Sequence, residues 1–137
     1  MNSFNHYAYG AIGDWLYTVA AGIEADFEHP GFKHILLHPR PGGGLTYLKA
    51  IYDSINGRIE SSWKIEANRL EWEVTVPTNT TATAHIPIQA DSKILEGTKP
   101  LDNVFGISRV RLEANELLCE LESGKYQFLI EPFTITN

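Results

Sequence analysis

Five histidines, one cysteine and seventeen carboxylates are the side chains of this 137-residue sequence best suited to bind a metal or move a proton. His34 and His38 stand four apart, a spacing that on a helix puts two imidazoles on one face and suits a metal ion. The residues around them alternate as a strand instead, and four residues of strand span roughly 13 Å. One ion does not bridge that gap unless the backbone bends. His29 precedes Pro30 in a turn, and His85 falls on the polar side of an alternating run. These histidines therefore read as solvated surface groups, and no metal site or cofactor is expected. Cys119 alternates with Leu117 and Leu121, which reads as a small buried apolar group. As the sole cysteine it excludes an internal disulfide and a cysteine-rich metal site.

The carboxylates offer many pairs, but Glu60 and Glu66, and Glu71 and Glu73, occupy the polar positions of alternating strands. General acid/base work needs a carboxyl whose pKa is shifted by burial or by a charged neighbour. Nothing in the sequence indicates such a pair, so no catalytic residue is expected. Gly42-Gly43-Gly44 lacks the following Lys-Ser/Thr and the helix that a phosphate cradle requires, and reads as a left-handed or mobile turn. Asn79-Thr80-Thr81 matches a glycosylation sequon but reads as a turn entering the next strand. Tyr47, Tyr52 and Trp63 could offer stacking faces to a sugar, although core packing is the commoner fate of aromatics on alternating strands. The opening residues crowd polar, aromatic and small side chains just ahead of a helical pattern. Ser3 or Asn5 can cap that helix, and a histidine at such a junction can reach a pocket, but position alone does not make His6 a binding residue.

Two kinds of element must position these side chains. Residues 8–24 read as a helix, with Ile12, Leu16, Val19, Ala20 and Ile23 at helical spacing. Its other faces carry Trp15, Tyr9, Tyr17, Ala8, Ala11 and Ala21, leaving Asp14, Thr18 and Glu24 as the clearly polar positions. A helix apolar around most of its circumference expects neighbours on several sides. It either packs on the following domain or is the last helix of a helical domain whose remainder lies upstream. The pattern ends before His29-Pro30-Gly31.

From Phe32 onward the period is two. Residues 32–38, 45–52, 58–67, 70–76, 80–87, 107–112, 117–121 and 126–130 read as strands, with turns at Asn56-Gly57, Ala67-Asn68-Arg69, Pro77-Thr78-Asn79, Glu113-Ala114-Asn115 and Ser123-Gly124. Short strands at this spacing predict an antiparallel β-sandwich, jelly-roll-like, preceded by one α-helix. The inner faces carry Trp63, Trp72, Val74, Ile86, Leu121, Phe128 and Ile130. A composition of 43% apolar and 20% charged residues is that of a globular domain. A net charge of −6 supplies no basic field for a phosphate backbone, so no nucleic-acid partner is expected. No apolar run approaches the roughly 20 residues of a membrane span, and no leader pattern opens the chain.

Several segments stand out, beginning with Ser3-Phe4-Asn5-His6-Tyr7-Ala8-Tyr9-Gly10, Gly13-Asp14-Trp15-Leu16-Tyr17 and Ala21-Gly22-Ile23. Gly31-Phe32-Lys33-His34, Pro39-Arg40-Pro41-Gly42-Gly43-Gly44-Leu45 and Ser62-Trp63 follow in order. Val74-Thr75-Val76-Pro77-Thr78-Asn79-Thr80-Thr81-Ala82 and Ser123-Gly124-Lys125-Tyr126 complete the set. Together they resemble the C-terminal part of bacterial α-L-rhamnosidases, in their largest glycoside hydrolase family. The resemblance covers essentially the whole chain. It implies an (α/α)₆ catalytic barrel upstream, with residues 1–29 its last helix and residues 30–137 a C-terminal β-sandwich. It places His6, the histidine of an Asn-His-Tyr motif, in the sugar pocket against rhamnose. It implies an inverting hydrolase of terminal α-L-rhamnose on glycosides or polysaccharides, with two acids about 6.5–9.5 Å apart. Both acids lie upstream of this segment, and Asp14 and Glu24 match no catalytic position. The implied partners are the barrel of the same polypeptide, a rhamnose-containing glycan and, through the exposed helix, a second copy of the chain. The rival expectation is a carbohydrate-binding or interaction module without catalysis.

Overall fold

Alternation of apolar and polar residues builds two facing sheets. The computed structural model describes residues 22–25, 34–41, 45–54 and 57–134. They form the strands β1 (Ile23–Ala25), β2 (His34–Leu37), β3 (Tyr47–Ser54), β4 (Gly57–Glu66), β5 (Arg69–Val76) and β6 (Thr81–Pro87). After these come β7 (Lys93–Glu96), β8 (Lys99–Pro100), β9 (Ile107–Glu113), β10 (Glu116–Leu121) and β11 (Gly124–Glu131), with a 3-10 turn at Leu101–Asn103. One sheet runs β1-β2-β6-β10-β9 and the other β3-β4-β5-β11-β7-β8.

Turn chemistry sets the register. Glu66 pairs with Arg69 across the β4–β5 hairpin, leaving Ala67 and Asn68 as a two-residue loop. Both loop residues have positive φ, 53° and 62°, the backbone of the tight turn that matches strand twist. With that register fixed, Trp63 stands opposite Trp72, and Ile65 opposite Leu70. β11 then sets Phe128 against Trp72 and Tyr126 against Val74. The facing sheet contributes Ile35, Leu37, Ala82, Ala84, Ile86, Cys119 and Leu121 to the same core. Trp63, Trp72 and Phe128 are its largest fully buried side chains. Burial of one such side chain is worth ~1.5–3 kcal/mol. The Trp72 indole N–H donates to the Ser61 hydroxyl at 2.8 Å, which satisfies a polar group that burial would otherwise penalise.

Two features differ from the sequence expectation. The sandwich is not purely antiparallel: β2 and β6 pair in parallel, His34 with Thr81 through Leu37 with Ala84. Nor does an α-helix precede it among the described residues. The predicted helix reached Glu24, yet Ile23–Ala25 is a strand, paired antiparallel with Leu37, Leu36 and Ile35. The rest of that predicted helix, residues 8–21, lies outside the described residues. Periodicity misled at Ile23 because a core-facing residue fits either pattern, and pairing with β2 decides between them. Gly22 marks the change. Its φ is +72°, and a Cβ there would lie 1.8 Å from the His38 carbonyl oxygen. The bare backbone lets the Gly22 carbonyl accept the His38 N–H at 2.7 Å, which anchors β1 to the end of β2.

Gly22→Ala should therefore unseat β1. A left-handed non-glycine residue alone costs about 1–3 kcal/mol, and the collision with His38 adds to it. The expected outcome is a fall in the urea midpoint corresponding to ~2 kcal/mol or more. An unchanged midpoint would show that β1 contributes nothing to the sandwich.

Candidate functional site

The outer face of the β1-β2-β6-β10-β9 sheet gathers all three described histidines and two carboxylates. Its residues are those that alternate out of the core: His34 and Leu36 on β2, with His38 just beyond it; Thr81, Thr83 and His85 on β6; Glu116, Leu118 and Glu120 on β10. Parallel pairing places Leu36 beside Thr83. The antiparallel β6–β10 register sets His85 opposite Leu118 and Thr83 opposite Glu120. Glu116 stands one pair further along, diagonal to His85 and within side-chain reach.

Two polar clusters result. In the first, the His34 ring nitrogens meet Thr81 Oγ1 at 2.6 Å and Thr83 Oγ1 at 2.8 Å. Thr83 donates its hydroxyl proton to Glu120 Oε1 at 2.9 Å. Arg111 on β9 approaches Glu120 Oε2 with both terminal guanidinium nitrogens at 3.4 Å. Its Nε lies 3.4 Å from Glu113 Oε2, so this one cation serves two carboxylates.

The second cluster is His38, His85 and Glu116. The Glu116 carboxylate takes His38 Nε2 on one oxygen and His85 Nδ1, at 3.2 Å, on the other. The two imidazoles stack with centroids 4.7 Å apart and planes 17° apart. The Arg40 guanidinium lies 3.4 Å from His38 Nδ1. Burial holds the His38 pKa below its ordinary value, outweighing the pull of Glu116, while His85 and Arg40 push the same way. All three side chains keep 22–27% of their surface exposed.

Elsewhere the structure places the sequence candidates plainly. Cys119 is fully buried in the core, and burial pushes its thiol up to about 12. That is a packing residue rather than a nucleophile. Trp63 is 1% exposed and belongs to the core, whereas Tyr47 is 69% exposed at the rim of a shallow depression with Lys49, Ser62, Lys64, Glu71 and Glu73. Glu71 is held by Arg69 at 3.5 Å. Asn79 has φ 60° in the turn that enters β6. His6, His29 and Gly42-Gly43-Gly44 lie outside the described residues. Sequence reasoning separated His34 from His38, and the structure agrees by giving them different clusters. It missed that His38 meets His85 and Glu116, because partners drawn from β6, β10 and the end of β2 are visible only once strand order is known.

Residues 22–100 match the family model of the bacterial alpha-L-rhamnosidase C-terminal domain. The chain belongs to this family. An alpha-L-rhamnosidase of Streptomyces avermitilis is 33% identical over 95% of the chain, and one of Formosa agariphila is 35% identical over 93%. The chain spans only 12% and 14% of those relatives. Among solved structures, the alpha-L-rhamnosidase from Dictyoglumus thermophilum superposes with a TM-score of 0.78 at 30% identity, covering 96% of this chain and 14% of that one. The Streptomyces avermitilis alpha-L-rhamnosidase complexed with L-rhamnose gives 0.74 at 32%, covering 96% and 12%. The match thus identifies a small C-terminal part of much longer rhamnosidases, in keeping with a face whose carboxylates are already engaged by histidines, a threonine and an arginine.

The thiol supplies a direct check on the packing. At pH 8 the folded chain should leave a disulfide reagent such as Ellman's unreacted, with one equivalent consumed on unfolding in guanidinium. Rapid stoichiometric labelling of the native chain would place Cys119 outside the core.

Proposed function

We propose that this chain is the C-terminal β-sandwich of an α-L-rhamnosidase and that its work there is structural. The observation that carries the reading is the coverage: nearly all of this chain aligns with about an eighth of each relative. The whole protein would remove terminal α-L-rhamnose from glycosides or polysaccharides with inversion. That reaction needs one acid to protonate the leaving oxygen and one carboxylate to activate water from the opposite face. Neither role falls to a residue of this segment. The described carboxylates at the histidine face are engaged in the two clusters, and those on β4 and β5 stand on an outward sheet surface.

In this reading the residues ahead of Gly22 belong to the catalytic barrel, and the strand pair β1–β2 joins it to the sandwich. His6 contacts rhamnose in the assembled enzyme. Separated from that barrel, the apolar residues of the opening segment promote self-association, since exposed apolar surface seeks a partner. Tyr47 favours the rival reading of a sugar-binding module. An aromatic platform gains by a second converging face, however: Trp63 is buried, and Tyr52, though 46% exposed, stands five residues along β3 from Tyr47 and so on the opposite side of the strand.

The 137-residue chain is expected to release no nitrophenol from p-nitrophenyl α-L-rhamnoside above the buffer rate. Turnover by the purified chain, lost in a His6→Ala variant of unchanged circular dichroism, would contradict the structural role.

A further inference from the structure

We propose that His38, His85 and Glu116 form a binding site for a divalent transition-metal ion, filled best by Zn²⁺. His85 and Glu116 come from neighbouring strands of one sheet, and His38 follows directly on β2, where its N–H is held by the Gly22 carbonyl, so backbone pairing sets their positions. One ligand atom from each lies within 4.8 Å of the others. Zn²⁺ binds histidine nitrogen at about 2.0–2.1 Å and carboxylate oxygen at about 2.0–2.2 Å, which in a tetrahedron separates donors by roughly 3.4 Å. Ligation calls for the stacked imidazoles to turn about their Cβ–Cγ bonds, so that their lone pairs converge beside Glu116 from donor atoms already within 4.8 Å.

The chemistry of the donor set selects the ion. Two imidazoles and one carboxylate suit zinc and its neighbours, whereas calcium and magnesium call for six or more oxygens. Glu116 supplies the negative charge, and it now accepts from both imidazoles. An ion at the centre takes over that role, displacing protons rather than packing contacts. The side chains are 22–27% exposed, which leaves an entry path and a fourth position for water. Arg40, exposed, can withdraw from His38 Nδ1. The neighbouring His34 cluster makes the contrast: there Arg111 occupies Glu120, and the place a cation would take is filled by a guanidinium. Bound metal would tie β2, β6 and β10 together at the end of the sheet where β1 is anchored.

The test is titration of the metal-stripped 137-residue chain with ZnCl₂ by isothermal calorimetry at pH 7.5, with circular dichroism of every variant. One ion per chain at low-micromolar affinity is expected, with a rise in melting temperature. His85→Ala and Glu116→Gln should each weaken binding by about tenfold or more, the order of loss seen when a zinc environment is disturbed, and His34→Ala should leave it unchanged. Glu116→Gln keeps the shape of the side chain and carries the test alone should His85→Ala fail to fold. Absence of saturable binding, or less than that weakening in every folded variant of the cluster, overturns the proposal.

Discussion

A parallel pairing between β2 and β6 ties the beginning of the described chain to the rest of it. The two strands are separated in sequence by three long hairpin strands of the opposite sheet, yet Ile35 lies beside Ala82 and Leu37 beside Ala84. β1 has β2 as its neighbour in the sheet, so its place depends on the same pairing. The interaction has to overcome the entropy of closing a long loop. What offsets that cost is burial: Ile35 and Leu37 go from water into full enclosure against Ala82, Ala84 and Ile86. Small residues on β6 leave room for the larger ones on β2.

The same pairing gives the outer face its chemistry. A strand that returns in parallel brings His34 to the threonines of β6 and His38 to His85. The antiparallel β10 then supplies Glu120 to one group and Glu116 to the other. Leu118, opposite His85, is itself almost fully buried on this face. The result is a tied surface in which each acid has basic or hydroxyl partners. Inverting hydrolysis asks for the opposite, a pair of carboxyls held apart around a water. In the proposed reading, the sandwich stands beside a catalytic domain without sharing its reaction.

The strands with clear alternation were legible before any coordinates. Residues 58–67, 70–76 and 80–87 fall on β4, β5 and β6, and Trp63, Trp72, Val74 and Phe128 are buried as their spacing demanded. Turn residues at Ala67-Asn68 marked the hairpin because asparagine tolerates positive φ. What escaped has physical causes. β7 and β8 are four and two residues long, too short for a period to declare itself. β1 was hidden in a longer helical pattern, since a single isoleucine facing the core satisfies either period. The His38, His85 and Glu116 cluster was invisible because alternation tells which side of a strand a residue faces and not which strand lies beside it. The family resemblance reached further than the pattern did, since it placed the chain among rhamnosidase C-terminal domains, the family that the comparisons show.

Hydrogen–deuterium exchange of the full chain at neutral pH tests the central pairing most directly. The account predicts that the hydrogen-bonded amides of β2 exchange as slowly as those of β6 and β5, through one shared global opening. Exchange of β2 within seconds, while β5 and β11 stay protected for hours, would contradict it, and would mean that the first strands rest against the sandwich without belonging to it.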